Sequence, residues 1–144
     1  MKIEDITAIS GKSGLYKIIK PTRSGVIIES LDEKKHRLVI NSTNKISVLK
    51  DISIYTTTAE GSISLKQVFE KIYEKIGNDC KVNIDSTADE LTRFMEQVLP
   101  EYDVDRVYIS DIKKLVNWYN VLLLTAPEIL SEKEITSTED NKSE

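Results

Sequence analysis

The spacing of apolar residues changes once along the chain, at Gly61, and that change limits the fold more than any motif does. Before it the chain is cut into short runs rich in Ile, Val, Leu and Tyr; after it apolar residues recur every three or four positions. The five glycines and three prolines fall between apolar runs and so mark element boundaries. A β half followed by an α half is the consequence.

In the first half, residues 15–20, 26–31, 37–40, 45–48 and 52–56 read as five strands. The first two are joined by Pro21-Thr22-Arg23-Ser24-Gly25 and the next pair by Asp32-Glu33-Lys34-Lys35, links short enough only for antiparallel neighbours. Five short strands are too few for a sandwich, so a curved sheet or a small SH3-like barrel that hides its edges is the economical closure. Ile3, Ile6 and Ile9 recur at helical spacing before Gly11, which predicts a short N-terminal helix.

In the second half, Leu65, Val68, Phe69, Ile72, Tyr73 and Ile76 form one stripe of a helix with Ser64 as N-cap and Gly77-Asn78 as its stop. A second helix starts near Ser86, with Thr87 and Glu90 spaced as a capping box and Leu91, Phe94, Met95, Val98 and Leu99 on its apolar face. A third starts near Ser110 and carries Ile112, Leu115, Val116, Tyr119, Leu122 and Leu123 up to Pro127. The expected class is α+β: a small antiparallel SH3-like β-barrel or roll at residues 1–60, then an orthogonal three-helix bundle at 61–127. Residues 128–144 are rich in Ser, Thr, Glu, Asp and Lys and read as a disordered acidic tail.

Composition removes several function classes. The longest aliphatic run, Val121 to Leu124, is far short of the roughly 20 residues that span a bilayer, and the charged start of the chain offers no signal-peptide core. A cytoplasmic protein without membrane partners is expected. One cysteine, Cys80, and one histidine, His36, supply neither a disulfide nor a Cys/His zinc cage, so no metal, cofactor or catalytic residue is assigned. Neither residue has an identifiable chemical partner in the sequence, and a bland loop cysteine and an exposed strand histidine are the preferred readings. Glu101, Asp103, Asp105 and Asp111 form the densest acidic group, lacking the glycine and closing glutamate of an EF-hand; compensation of a helix dipole and pairing with Arg106 account for them.

The net charge of −4 conceals a division. Residues 1–60 hold 10 Lys+Arg against 7 Asp+Glu, and residues 61–144 hold 10 against 17. A basic small barrel is a nucleic-acid candidate through Lys12, Lys17, Lys20, Arg23, Lys34, Lys35 and Arg37, with Tyr16 and Tyr55 as stacking platforms. The excess of three is small for that role, and turn and edge-strand lysines that keep a sheet in solution explain it better. The richest stretch is residues 99–120, which holds three of the six tyrosines and the only tryptophan. Aromatic residues and arginine are the types that anchor interfaces, so Arg106, Tyr108, Lys114 and Trp118 form the candidate interaction surface, and a protein partner or self-association is the favoured use. Packing of Trp118 between the two halves is preferred to full exposure.

Residues 8–17 (Ala-Ile-Ser-Gly-Lys-Ser-Gly-Leu-Tyr-Lys), 51–56 (Asp-Ile-Ser-Ile-Tyr-Thr) and 99–120 resemble a family of short bacterial proteins known only as domains of unknown function. The resemblance covers about residues 3–125, and similar proteins commonly have proline where this chain has Ser13. It implies an SH3-like β-roll followed by an orthogonal helical bundle, and it brings no activity, substrate or site residue. The expected function is a non-enzymatic interaction module; weak nucleic-acid binding through the basic β face is the alternative, and a small enzyme ranks last.

Overall fold

β-branched residues crowd the helical turn before them but pack well on a pleated surface, and the isoleucine-rich start of the chain follows that preference. In the computed structural model, which describes residues 2–11, 14–32, 34–41, 46–78, 80–83 and 85–131, only Ile3–Asp5 form a 3-10 turn. Strand β1 (Ile6–Ile9) follows at once, where a helix was expected. The reason is visible in its burial. Residues three apart on a strand face opposite ways, and Ile6 enters the main core while Ile9 enters a second, smaller one. A central strand covered on both faces loses the clean alternation that identifies strands in sequence.

Strands β2 (Tyr16–Pro21), β3 (Gly25–Ser30) and β4 (Arg37–Asn41) continue as an antiparallel meander, and β5 (Ile46–Val48) returns to the free side of β1. The order β4-β3-β2-β1-β5 makes an open five-stranded sheet with no pairing between its outer strands, so the expected closure into a barrel is not seen among the described residues. The register shifts between Ile18 and Lys20, a bulge that bends β2. On one face of the sheet Ile9, Ile28 and Ile40 are buried, with Tyr16, Val26, Leu38 and Ile46 packed around them.

The strand expected at residues 52–56 as the fifth member of this sheet does something else. A second 3-10 turn, Leu49–Asp51, redirects the chain, and β6 (Ser53–Tyr55) pairs with β7 (Ser62–Ser64) in a separate hairpin. The hairpin leads straight into α1 (Leu65–Lys75), whose first turn is capped by the Ser64 hydroxyl accepting from the Gln67 N–H. Helix α2 (Ala88–Val98) opens with the anticipated capping box, in which Thr87 and Glu90 each accept from the other's backbone N–H. Helix α3 (Ile109–Thr125) follows, and a further short helix, α4 (Pro127–Ser131), buries Ile129 and Leu130 against the same core. Residues 128–131, expected as the start of the tail, are thus part of the fold; residues 132–144 lie outside the described residues.

One apolar cluster unites the parts. Ile3, Ile6, Leu15 and Leu49 from the β half are continuous with Leu65, Phe69, Leu91, Leu115 and Tyr119 from the helices. Tyr119 is fully buried, and its hydroxyl donates to the Gly77 carbonyl at 2.8 Å, tying α3 to the stop of α1. Burial pushes that phenol well above its ordinary pKa, so it stays a neutral donor. No helix among the described residues is long and apolar enough to cross a membrane.

Two outcomes follow for stability. Gly25 lies against β4 so closely that a Cβ there would collide with the Ile40 carbonyl, with no flexible side chain to move aside. Gly25→Ala therefore destabilises by about 1–3 kcal/mol in denaturant unfolding, although glycine in a strand is normally the weaker choice. Tyr119→Phe leaves the Gly77 carbonyl without its donor and is expected to lower stability by about 1–2 kcal/mol by the same measurement.

Candidate functional site

The backbone between α2 and α3 creates the most distinctive surface. Residues 101–103 run antiparallel beside β6, with the Thr57 N–H donating to the Glu101 carbonyl and the Asp103 N–H to the Tyr55 carbonyl, both at 2.9 Å. They begin a third strand on the hairpin. The strand ends after Asp103, because its carbonyl accepts instead from the Arg106 and Val107 N–H groups, at 3.1 and 2.9 Å, in the turn that leads to α3. The Asp103 carboxylate reinforces that turn, accepting from the Asp105 N–H at 3.0 Å and pairing with the Arg106 guanidinium at 3.4 Å. Asp111 accepts from the Tyr108 N–H at 3.0 Å and caps α3. Two of the four acids, Asp103 and Asp111, are thus spent on backbone geometry and on Arg106.

Where the chain leaves the hairpin, a groove of about 230 Å³ opens between β6 and the first turns of α3. Its floor is Ile54, Leu65 and Leu115; its walls are Ser53 and Tyr55 on one side and Arg106, Lys114 and Trp118 on the other. The Arg106 guanidinium lies 5.2 Å from the centre of the Tyr55 ring, a cation-π contact that holds an otherwise exposed arginine at the rim. Trp118 is half-buried, packed on the main core and forming part of the wall. Lys114 has no ion-pair partner among the described residues. Three of the four residues expected at an interface therefore converge, while Tyr108, 65% exposed, stands outside the groove at the start of α3.

The basic candidates do not converge in the same way. Lys12 lies outside the described residues. Lys17 and Arg37 sit in register on either side of Glu29 across β2, β3 and β4, and Arg37 Nε pairs with Glu29 Oε1 at 3.2 Å. Arg23 occupies the β2–β3 turn at one end of β3, and Lys34 and Lys35 the β3–β4 turn at the other. Lys34 and Lys35 wrap the Asp32 carboxylate, which accepts from both their N–H groups at 3.0 Å and from the Ser30 hydroxyl at 2.9 Å. His36 continues this exposed turn, its N–H donating to Ser30 Oγ, and it lines none of the described cavities. Tyr55, expected beside the basic strands, is in the groove under Arg106. Cys80 is half-buried with its thiol 3.6 Å from the Val82 carbonyl.

Alternation at Ile52-Ser53-Ile54-Tyr55 shows which side chains face out, but nothing local reveals that the strand beside β6 stops at Asp103 and leaves Ser53 without a neighbouring strand on that side among the described residues.

Residues 3–49 match the domain of unknown function DUF5606, and residues 52–122 match the domain of unknown function DUF6852. The two matches meet at the Leu49–Asp51 turn. A solution NMR structure of a protein from Bacteroides vulgatus, a structural-genomics target, is similar at 37% identity and a TM-score of 0.69, over 84% of this chain and 85% of that one. No curated protein matches.

The hydrogen bonds from the Ser30 hydroxyl and then the Lys35 and Lys34 N–H groups hold the Asp32 carboxyl below its ordinary pKa. A depressed carboxylate stabilises the turn at pH above its unfolded pKa, and that contribution fades as pH falls through the folded one. NMR titration should find Asp32 protonating at lower pH than a free aspartate, and Asp32→Asn should loosen the Lys34 and Lys35 amides at neutral pH.

Proposed function

The chain belongs to the family that joins DUF5606 to DUF6852, and from that premise we propose that it is a non-enzymatic interaction module docking a partner protein in the groove between β6 and α3. The observation that carries this reading is the convergence of Arg106, Lys114 and Trp118 with Tyr55 around one apolar floor. Trp, Tyr and Arg are the side chains that dominate binding energy at interfaces, and a concave site with an apolar base and a few polar walls is how a partner side chain is gripped.

The basic strand face supports nucleic-acid binding less well, because its cations lie at opposite ends of β3 or opposite Glu29. On the same footing we read the five-stranded sheet as an SH3-like roll and α1, α2 and α3 as an orthogonal bundle. The support is that β1 lies between β2 and β5, that β2 is bent by a bulge, and that the sheet has a small core of its own on one face.

The test is a pull-down from native extract with tagged full-length protein, run with and without nuclease beside the Trp118→Ala/Lys114→Glu double variant. A partner retained after nuclease treatment and lost with the double variant is the expected result. Recovery that needs nucleic acid, or that the double variant leaves intact, contradicts the reading.

A further inference from the structure

Antiparallel strands alternate between residues bonded to one neighbour and residues whose backbone faces the other. On β6 the Thr56 N–H donates to the Gly61 carbonyl, and the Ile52 carbonyl accepts from the Leu65 N–H. With Ile54 opposite Ile63, the even-numbered residues face β7 and the odd-numbered ones face away. Of the outward set, the Tyr55 carbonyl and the Thr57 N–H are taken by residues 101–103. The Tyr55 N–H has lost its natural acceptor, since the Asp103 carbonyl turns to Arg106 and Val107. The Ser53 N–H and carbonyl have no neighbouring strand among the described residues. Two donors and one acceptor in strand geometry thus line the β6 wall of the groove.

Resting on the groove as the docking site, we propose that it takes an extended acidic segment of a partner protein, which adds to β6 as a strand in the slot that residues 101–103 leave half filled. Strand addition at an exposed edge draws affinity from main-chain hydrogen bonds and specificity from alternate side chains. The position lies about 4.8 Å from β6, on the side away from β7. Alternate side chains of the added strand then face Leu115 and Trp118, and those of the other set reach the rim.

Charge selects the occupant. The cations at the rim are Arg106 and Lys114, the second of them unpaired among the described residues. The one carboxylate on the groove wall, Asp111, is engaged by the Tyr108 N–H, and Asp103 is engaged by Arg106. Acidic residues that alternate with apolar ones fit this pattern. A second copy of the chain offers a poorer match through β4, an outer strand of its sheet, which carries an arginine and no carboxylate to meet these cations.

Full-length protein is titrated with the capped pentapeptide Glu-Val-Glu-Val-Glu, with its lysine counterpart Lys-Val-Lys-Val-Lys, and with the acidic peptide N-methylated at two consecutive central residues. One of those two N–H groups must face β6 whichever way the peptide lies. Trp118, the only tryptophan, reports occupancy by fluorescence, and amide exchange by NMR reports Ser53 and Tyr55. The expected result is that the acidic peptide binds, shifts Trp118 and slows exchange at both amides. N-methylation weakens it by about tenfold or more, and Lys114→Glu reverses the preference between the acidic and lysine peptides. If the N-methylated peptide binds as well as its parent, or the Ser53 and Tyr55 amides stay unprotected while Trp118 responds, strand addition is overturned and the groove remains a docking site. If the acidic peptide leaves Trp118 and both amides unchanged, strand addition of an acidic segment is overturned as well, and the pull-down decides the groove separately.

Discussion

A continuous apolar core holds the β and α halves in one frame, and the floor of the groove, Ile54, Leu65 and Leu115, belongs to it. Ile6 on the central strand, Leu49 in the connecting turn, and Leu65, Phe69 and Tyr119 on the helices are all buried in one cluster. Covering each half separately would demand that each bury its own apolar surface, and a core built from about 60 residues is marginal. Leu49 lies where one matched family domain ends and Leu65 where the hairpin of the next becomes a helix. Between them lies the β6–β7 hairpin, whose Ile54 and Ile63 pack on the main core and which pairs with no strand of the larger sheet.

That placement makes an unfilled strand position. The segment after α2 reaches the hairpin, forms two backbone hydrogen bonds and then leaves, because the Asp103 carbonyl and carboxylate both serve the turn into α3. A chain that needs an α-helix start at Ile109 cannot also finish a strand at Ser53. The same turn carries Arg106 to the Tyr55 ring, so the residues that break the strand also furnish the rim of the groove.

Much of this was legible beforehand where local chemistry decides structure. The Ser64 and Thr87 caps, the Gly77 stop and the apolar stripes of α1, α2 and α3 depend on neighbours within one or two turns, and they occur where the spacing placed them. The misreadings fall where distant partners decide. Ile3, Ile6 and Ile9 mimic a helix because β1 divides its isoleucines between two cores. Residues 52–56 look like a fifth strand of the first sheet because alternation says that a strand exists and not what it pairs with. Ile129 and Leu130 read as part of a tail because two apolar residues in polar surroundings reveal burial only once α1 and α3 are placed beside them. At the site, residue types drew attention to Arg106, Lys114 and Trp118, whereas the open edge at Ser53 follows from backbone bonds that no side chain announces.

The claim beneath the whole account is that the two family domains share one core and fold as one unit. Urea unfolding followed at once by Trp118 fluorescence and by the NMR amide signal of Ile28 tests it most directly, since Trp118 reports the helical side and Ile28 the small core of the five-stranded sheet. A shared core predicts a single transition with coincident midpoints for both probes. Loss of the Ile28 signal in a separate, earlier transition, with Trp118 still in its native environment, would show that the halves stand alone and would contradict the account.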